Sequence, residues 1–87
     1  MYINAVWGSY RMRAFVLISL NGKEVHNIVD DLKAFPEIKN TYLLFGEWDL
    51  IAEIETQSPE SLSTFVIDNV RSNPDVRLTS SLIVAGK

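Results

Sequence analysis

The residues best placed to do chemistry form one short run, Gly46-Glu47-Trp48-Asp49. A glycine permits a positive φ or a close approach of another group to the backbone. Backbone N–H groups in such a turn can bind a carboxylate, and the carboxylate of Asp49 can accept hydrogen bonds from an ammonium group. Together these features would suit a zwitterion such as an amino acid. The alternative is that Gly46 only makes a hairpin turn and that Asp49 only caps it.

Catalytic and metal-binding chemistry finds little support elsewhere in the sequence. There is no cysteine and only one histidine, His26, so thiolate chemistry is excluded and a zinc site would depend on carboxylates. His26 lies beside the apolar stripe of a predicted helix, and we interpret it as a surface residue. The four glycines are isolated and fit no phosphate-binding loop. We therefore predict no catalytic residue, no metal and no cofactor.

The charge balance argues against direct binding of nucleic acid. The chain has eight Lys and Arg residues and eleven Asp and Glu residues, which gives a net charge of −3. Nucleic-acid-binding domains, in contrast, usually have a basic surface. The longest purely apolar run, residues 14–18, is too short to cross a bilayer. The sequence therefore predicts a cytoplasmic protein that binds neither nucleic acid nor membrane directly.

The 87 residues are enough for one domain, and apolar periodicity predicts six elements. We expect strands at 14–20, 38–45, 50–55 and 76–85, and helices at 25–35 and 59–73. Pro36 ends the first helix, and Ser58-Pro59 is a typical helix start. This order predicts an α+β, ferredoxin-like βαββαβ sandwich, in which a four-stranded antiparallel sheet has two helices on one face.

Residues 1–12 are the least regular part of the chain. Ile3, Ala5 and Trp7 alternate with other residues before Gly8 and Ser9 interrupt the pattern. The segment could be an extra strand, a linker or an arm that packs on a partner. We place it outside the domain, which is predicted to cover residues 13–87.

The first two predicted strands are apolar on both faces, although the helices can cover only one face. Alternate residues of a strand face opposite sides. Either Phe15, Leu17, Leu43 and Phe45, or the residues opposite to them, would then be exposed as one patch in a monomer. Monomers rarely expose such patches, so we predict that these four residues form the interface of a homodimer.

On the other two strands, we expect part of the side of the sheet that the helices leave uncovered to be small and polar. The third strand includes Glu53 and Glu55, and the last strand includes Thr79 and Ser81. Such residues are typical of a binding surface or of a hydrated interface. Ordinary exposure to solvent explains them equally well.

Four motifs occur in a specific order: Pro36-Glu37-Ile38, Gly46-Glu47-Trp48-Asp49-Leu50, Pro74-Asp75-Val76 and Thr79-Ser80-Ser81. In order and spacing, residues 13–84 resemble the ligand-binding domain of the Lrp/AsnC family of transcriptional regulators, also called the RAM domain. The Gly-x-aromatic-Asp run between the second and third strands is part of the family pattern.

The resemblance implies a fold, an assembly and a ligand. Domains of this family have the βαββαβ fold, dimerise through their sheets and commonly assemble into octamers or decamers. An effector, usually an amino acid, binds between dimers. Residue by residue, this implies a ligand-binding site at 46–49, made by Gly46, Trp48 and Asp49 with Glu47 beside them, and polar contacts from Thr79 and Ser81.

Family regulators normally have an N-terminal helix-turn-helix, and twelve residues before the first strand cannot form one. The sequence therefore resembles a stand-alone form, for which DNA binding is not implied. Mixed assembly with full-length regulators of the family stays open. Two other functions also stay open, namely a small dimeric ferredoxin-like enzyme and a purely structural oligomerisation module.

Overall fold

The computed structural model describes residues 11–22 and 25–86. The elements are β1 (Met12–Leu20), α1 (Val25–Lys33), β2 (Ile38–Leu43), β3 (Leu50–Thr56), α2 (Pro59–Phe65), a π-helical segment (Val66–Arg71) and β4 (Val76–Ile83). Their order confirms the prediction. The predicted arm or extra strand at 1–12 lies outside the described residues, except that Met12 already belongs to β1.

The four strands form one antiparallel sheet in the order β2-β3-β1-β4. The two central strands are therefore β1 and β3, and the edges are β2 and β4. This topology confirms the ferredoxin-like prediction, including the β2–β3 hairpin.

The core lies on a single face of the sheet. Cross-strand pairs of β1 and β3 point to it together, and all six side chains have no exposed surface: Ala14, Val16, Ile18, Leu50, Ala52 and Ile54. The buried helical residues join the same cluster, namely Ile28, Leu32, Leu62, Phe65, Val66 and Val70. Both helices therefore cover the same face, as predicted.

Local sequence signals fix where the helices begin and end. The hydroxyl of Ser58 accepts a hydrogen bond from the backbone N–H of Ser61, and the Ser61 hydroxyl accepts one from the N–H of Ser58. This capping box starts α2 at Pro59, as expected. In contrast, α1 ends at Lys33, two residues before the predicted end, and the N–H groups of Ala34 and Phe35 donate to the carbonyls three residues earlier, in a tighter last turn before Pro36.

The loop between β2 and β3 is longer than the sequence indicated. The Leu44 N–H donates to the Asp49 carbonyl at 3.0 Å, which closes a loop that takes Leu44 and Phe45 out of the sheet. For this reason β2 ends at Leu43, whereas the apolar run predicted a strand as far as Phe45.

Candidate functional site

The β2–β3 turn has the backbone geometry that the sequence predicted. Gly46 has a φ of +149°, a conformation that residues with a side chain rarely adopt. No atom lies within 4 Å of the position a Cβ would occupy on Gly46. The glycine is therefore required by the backbone conformation and not by crowding.

Asp49 anchors this turn to the end of the central strand β1. Its backbone N–H donates to the Ile18 carbonyl at 3.0 Å. Its Oδ2 accepts a hydrogen bond from the Leu20 N–H at 2.8 Å. The side chain thus satisfies a backbone group of β1 and not one of its own turn, which differs from the capping role considered above. A carboxylate has further lone pairs, so this bond leaves acceptor capacity for a ligand.

The other residues of the turn differ in exposure. Trp48 and Asp49 are partly buried, whereas Gly46 and Glu47 are exposed. A ligand could therefore reach the backbone of the turn and contact the carboxylate of Asp49 and the indole of Trp48.

Thr79 and Ser81 do not lie beside this turn. Thr79 pairs with Ile18, which pairs with Leu50 on its other side. Two strand spacings, about 10 Å, separate Thr79 from Leu50, and Ser81 is further along β4. Both hydroxyl residues point to the helix side, where they line a cleft of about 280 Å³ between β4 and the α2 region. This corrects the expectation that they lie on the open side of the sheet.

The side of the sheet away from the helices has a group of apolar side chains, together with polar ones such as Ser19 and Ser80. Leu17 pairs with Ile51, which pairs with Tyr42, and Phe15 pairs with Leu82. We call this surface the open face, and its apolar residues are Phe15, Leu17, Tyr42, Ile51, Leu78 and Leu82. Tyr42, Leu78 and Leu82 are 52%, 51% and 53% exposed.

The register corrects the predicted grouping of Leu43 and Phe45 with Phe15 and Leu17. Leu43 pairs with the buried Leu50, so it points to the helix side at the sheet edge. Phe45 lies in the loop and is fully exposed. The physical reason is the pairing of β2 with β3, which puts the other parity of β2, and hence Tyr42, on the open face.

Polar side chains border the open face near its Arg13 end. The Arg13 guanidinium lies 3.5 Å from the Glu53 carboxylate and 6.0 Å from the centre of the Phe15 ring. The Asn40 amide donates to the Glu53 carboxylate at 2.6 Å. An apolar centre with a polar rim is the usual anatomy of a protein–protein interface.

His26 is exposed on α1, in agreement with the prediction. In the described part of the chain, no group of three or more His, Asp or Glu residues is arranged to hold a metal ion. Over the same residues, no helix has the length and apolar character needed to span a membrane.

A family model described as the Lrp/AsnC ligand binding domain matches residues 13–86. The chain belongs to this family. HTH-type transcriptional regulator FL11 of Pyrococcus horikoshii is 32% identical to this chain over 75 residues. These residues are 86% of this chain and 49% of FL11. The chain therefore spans about half the length of that curated relative.

Two solved structures are similar to the structure of this chain. Hypothetical protein PHS023 of Pyrococcus horikoshii is 30% identical, with a TM-score of 0.79, over 87% of this chain and 92% of its own. A transcriptional regulator of Neisseria meningitidis, solved as a complex with L-methionine, is 22% identical, with a TM-score of 0.76, over 100% of this chain and 56% of its own. The second likeness shows the fold alone. The curated relatives FL11 and AzlB are transcriptional regulators.

Proposed function

We propose that this Lrp/AsnC domain binds an amino-acid effector at its β2–β3 turn and self-associates through the open face, as a cytoplasmic component of transcription regulation. The observation that supports effector binding most directly is the turn itself. It combines a glycine at positive φ with a carboxylate fixed at the end of a central strand.

The turn offers complementary partners for both charged ends of an amino acid. The exposed backbone around Gly46 offers N–H donors to a carboxylate, and Asp49 offers an acceptor to an ammonium group. Trp48, partly buried, provides an apolar surface for a side chain. The methionine complex of the Neisseria meningitidis regulator motivates methionine as the first ligand to test.

Thr79 and Ser81 take part in this proposal only if the effector site lies between copies. Within one chain they are on the far side of β1 from the turn. A neighbouring copy could bring its own Thr79 and Ser81 to the turn. The proposed assembly is a dimer through the open face, with octamers or decamers built from dimers, and mixed assembly with full-length relatives as an extension.

A structural oligomerisation module is the second candidate. It is favoured by the hydrogen bond from Leu20 to Asp49, since the carboxylate has a role in the fold without any ligand. Such a module would keep the open face and show no response to amino acids.

A thermal-shift panel with the twenty amino acids separates the two candidates, using the native chain and Asp49→Asn. The asparagine keeps an oxygen that can accept from Leu20 but removes the charge that would pair with an ammonium group. A ligand at a hundred times its Kd adds about 2.7 kcal/mol to the free energy of unfolding. For a domain of this size that raises Tm by roughly 10 °C or more.

We expect one or two amino acids to raise the Tm of the native chain and not that of Asp49→Asn. Asp30→Asn is the matched control, because Asp30 is an exposed acid on α1 whose loss makes the same change in net charge. It should respond like the native chain. Flat curves for all twenty amino acids would contradict effector binding and favour the structural module.

A further inference from the structure

A pocket at the C-terminal end of β3 takes no part in the β2–β3 turn or in the open face. We call it the β3-end pocket. Its volume is about 260 Å³, and it is lined by Arg11, Glu37, Thr56, Gln57, Ser61 and Phe65. This volume is near the lower limit of small-molecule sites. The β2–β3 turn lies at the other end of β3, which spans Leu50–Thr56 and is therefore about 20 Å long.

Two opposite charges stand on opposite sides of β3 at this pocket. The pairing of Met12 with Thr56 places Arg11 on the β1 side. The Glu55 N–H donates to the Glu37 carbonyl at 2.9 Å, which places Glu37 on the β2 side. Because β1 and β2 flank β3, the backbones of Arg11 and Glu37 are at least two strand spacings, about 10 Å, apart. The pocket thus has a cationic side and an anionic side.

The described chain neutralises neither charge. Within residues 11–22 and 25–86, the one ion pair joins Arg13 and Glu53, so Arg11 and Glu37 have no ion pair there. Glu37 is half-buried, whereas Arg11 is exposed. A carboxylate that loses part of its hydration without gaining a partner is destabilised. A ligand with a positive charge would supply that partner.

Thr56 makes the anionic side of the pocket suitable for an ammonium group. It is 5% exposed, and its hydroxyl donates to the Ser58 carbonyl at 3.1 Å. The hydroxyl proton is therefore used, and the oxygen can only accept. The Ser61 hydroxyl also donates to the Ser58 carbonyl, so neither hydroxyl has a proton for a carboxylate. The donors that line the pocket are the side chains of Arg11 and Gln57.

The floor of the pocket between the two charges is apolar. Phe65 is buried, and its ring packs edge-to-face on Phe35, with 5.3 Å between the ring centres and 87° between the ring planes. Aromatic pairs in this geometry are stabilised beyond the area that they bury. Methylene groups of a ligand can pack on this fixed ring.

From this arrangement we propose that the β3-end pocket binds an ω-amino acid, a zwitterion whose ammonium and carboxylate groups are separated by several methylene groups. Glu37 and Thr56 accept from the ammonium group, Arg11 pairs with the carboxylate, and the methylene chain lies on Phe65. In an α-amino acid the two charged groups are too close together to reach both sides of β3. The site does not depend on effector binding at the β2–β3 turn.

The test is calorimetric titration of the full chain with 5-aminopentanoate, together with amide NMR. Three probes change one feature each. L-norvaline is the isomer with the ammonium group next to the carboxylate, pentanoate lacks the ammonium group, and pentylamine lacks the carboxylate. We expect 5-aminopentanoate to bind roughly tenfold more tightly than each of them, since a hydrogen bond between charged groups has about that effect. The amide signals of Thr56 and Gln57 should shift on binding.

Two substitutions test the charged sides of the pocket. Glu37→Gln and Arg11→Gln should each weaken binding of 5-aminopentanoate by roughly tenfold. The matched controls are Asp30→Asn and Lys39→Gln, which make the same changes in net charge at exposed residues outside the pocket. Both controls should bind like the native chain.

Four results would overturn the proposal. The first is no shift of the Thr56 and Gln57 signals at about 20 mM 5-aminopentanoate, where even a millimolar site would be mostly occupied. The second is equally tight binding of L-norvaline, pentanoate or pentylamine at these residues. The third is equal weakening by the control substitutions, which would indicate a nonspecific effect of charge. The last is perturbation of residues 46–49 in place of Thr56 and Gln57.

Discussion

The two faces of the sheet are built from the same strands but differ in what completes them. On the helix side, Val16 and Ile18 of β1 have no exposed surface. On the open face, Phe15 and Leu17 of the same strand are only partly buried. The apolar residues on the helix side are buried by the helices of the same chain. On the open face, nothing in the described chain covers the apolar residues.

This difference indicates which features belong to the fold and which to an assembly. A covered residue contributes to the free energy of unfolding of one chain. An open-face residue such as Leu17 contributes mainly when a second surface removes it from water. The effect of a substitution on the open face should therefore depend on protein concentration, and the effect of one in the core should not.

The largest change in the free energy of unfolding is expected when a core side chain is truncated. The comparison is with truncation of the adjacent residue, which points to the open face. Ile18→Ala should lower the free energy of unfolding by about 2–5 kcal/mol, because it leaves a cavity among fully buried side chains. Leu17→Ala should cost less than about 1.5 kcal/mol in dilute protein, since its side chain is already partly in water. Urea unfolding of both variants at two protein concentrations measures this comparison.

At high protein concentration the cost of Leu17→Ala should rise, and the cost of Ile18→Ala should stay constant. Equal costs for the two variants at every concentration would contradict the distinction between the faces.

A smaller effect is expected for the helix cap that holds α2 over the covered face. Ser58→Ala removes the acceptor for the Ser61 N–H and should lower the free energy of unfolding by about 1 kcal/mol at any protein concentration. Thermal unfolding measures it, and Ser63→Ala is the matched control within the same helix. A loss for Ser63→Ala as large as that for Ser58→Ala would argue against a capping role.

The fold could be predicted because short local sequence motifs determine where its helices begin and end and where the chain turns. The end of α1 is marked by Pro36, the start of α2 by Ser58-Pro59, and the β2–β3 turn by Gly46. Each of these residues acts through its own backbone geometry or capping hydrogen bonds. Hydrophobic alternation then identified the strands, so the order of elements followed.

The faces of the edge strands could not be predicted in the same way. The β2–β3 register shifts between Ile38 and Asn40, and the β1–β4 register shifts between Ser19 and Leu20. These shifts do not decide the faces of Leu43 and Thr79, which lie beyond them. The apolar pattern misled instead, because Leu78 and Leu82 of β4 lie on the open face and not on the face that the helices cover. The sequence therefore grouped Leu43 with Phe15, and it put Thr79 on the open side, although the structure does neither.

The helical wall of the cleft beside β4 could not be predicted for a related reason. Thr79 and Ser81 were predicted as binding residues, but the cleft that they line also needs the π-helical segment Val66–Arg71, which comes close to β4 only in the folded chain.

Dimerisation through the open face is tested by the oligomeric state of the native chain and of two matched variants, measured by sedimentation velocity over micromolar concentrations. Leu17→Asp puts a charge on the open face. Leu43→Asp puts the same charge on an exposed leucine at the helix side of β2. Circular dichroism checks that both variants are folded.

We expect the native chain and Leu43→Asp to sediment as dimers or multiples of dimers, and Leu17→Asp to sediment as a folded monomer. A native chain that stays monomeric at micromolar concentration would contradict dimerisation through the open face. So would an assembly that Leu43→Asp disrupts and Leu17→Asp leaves intact.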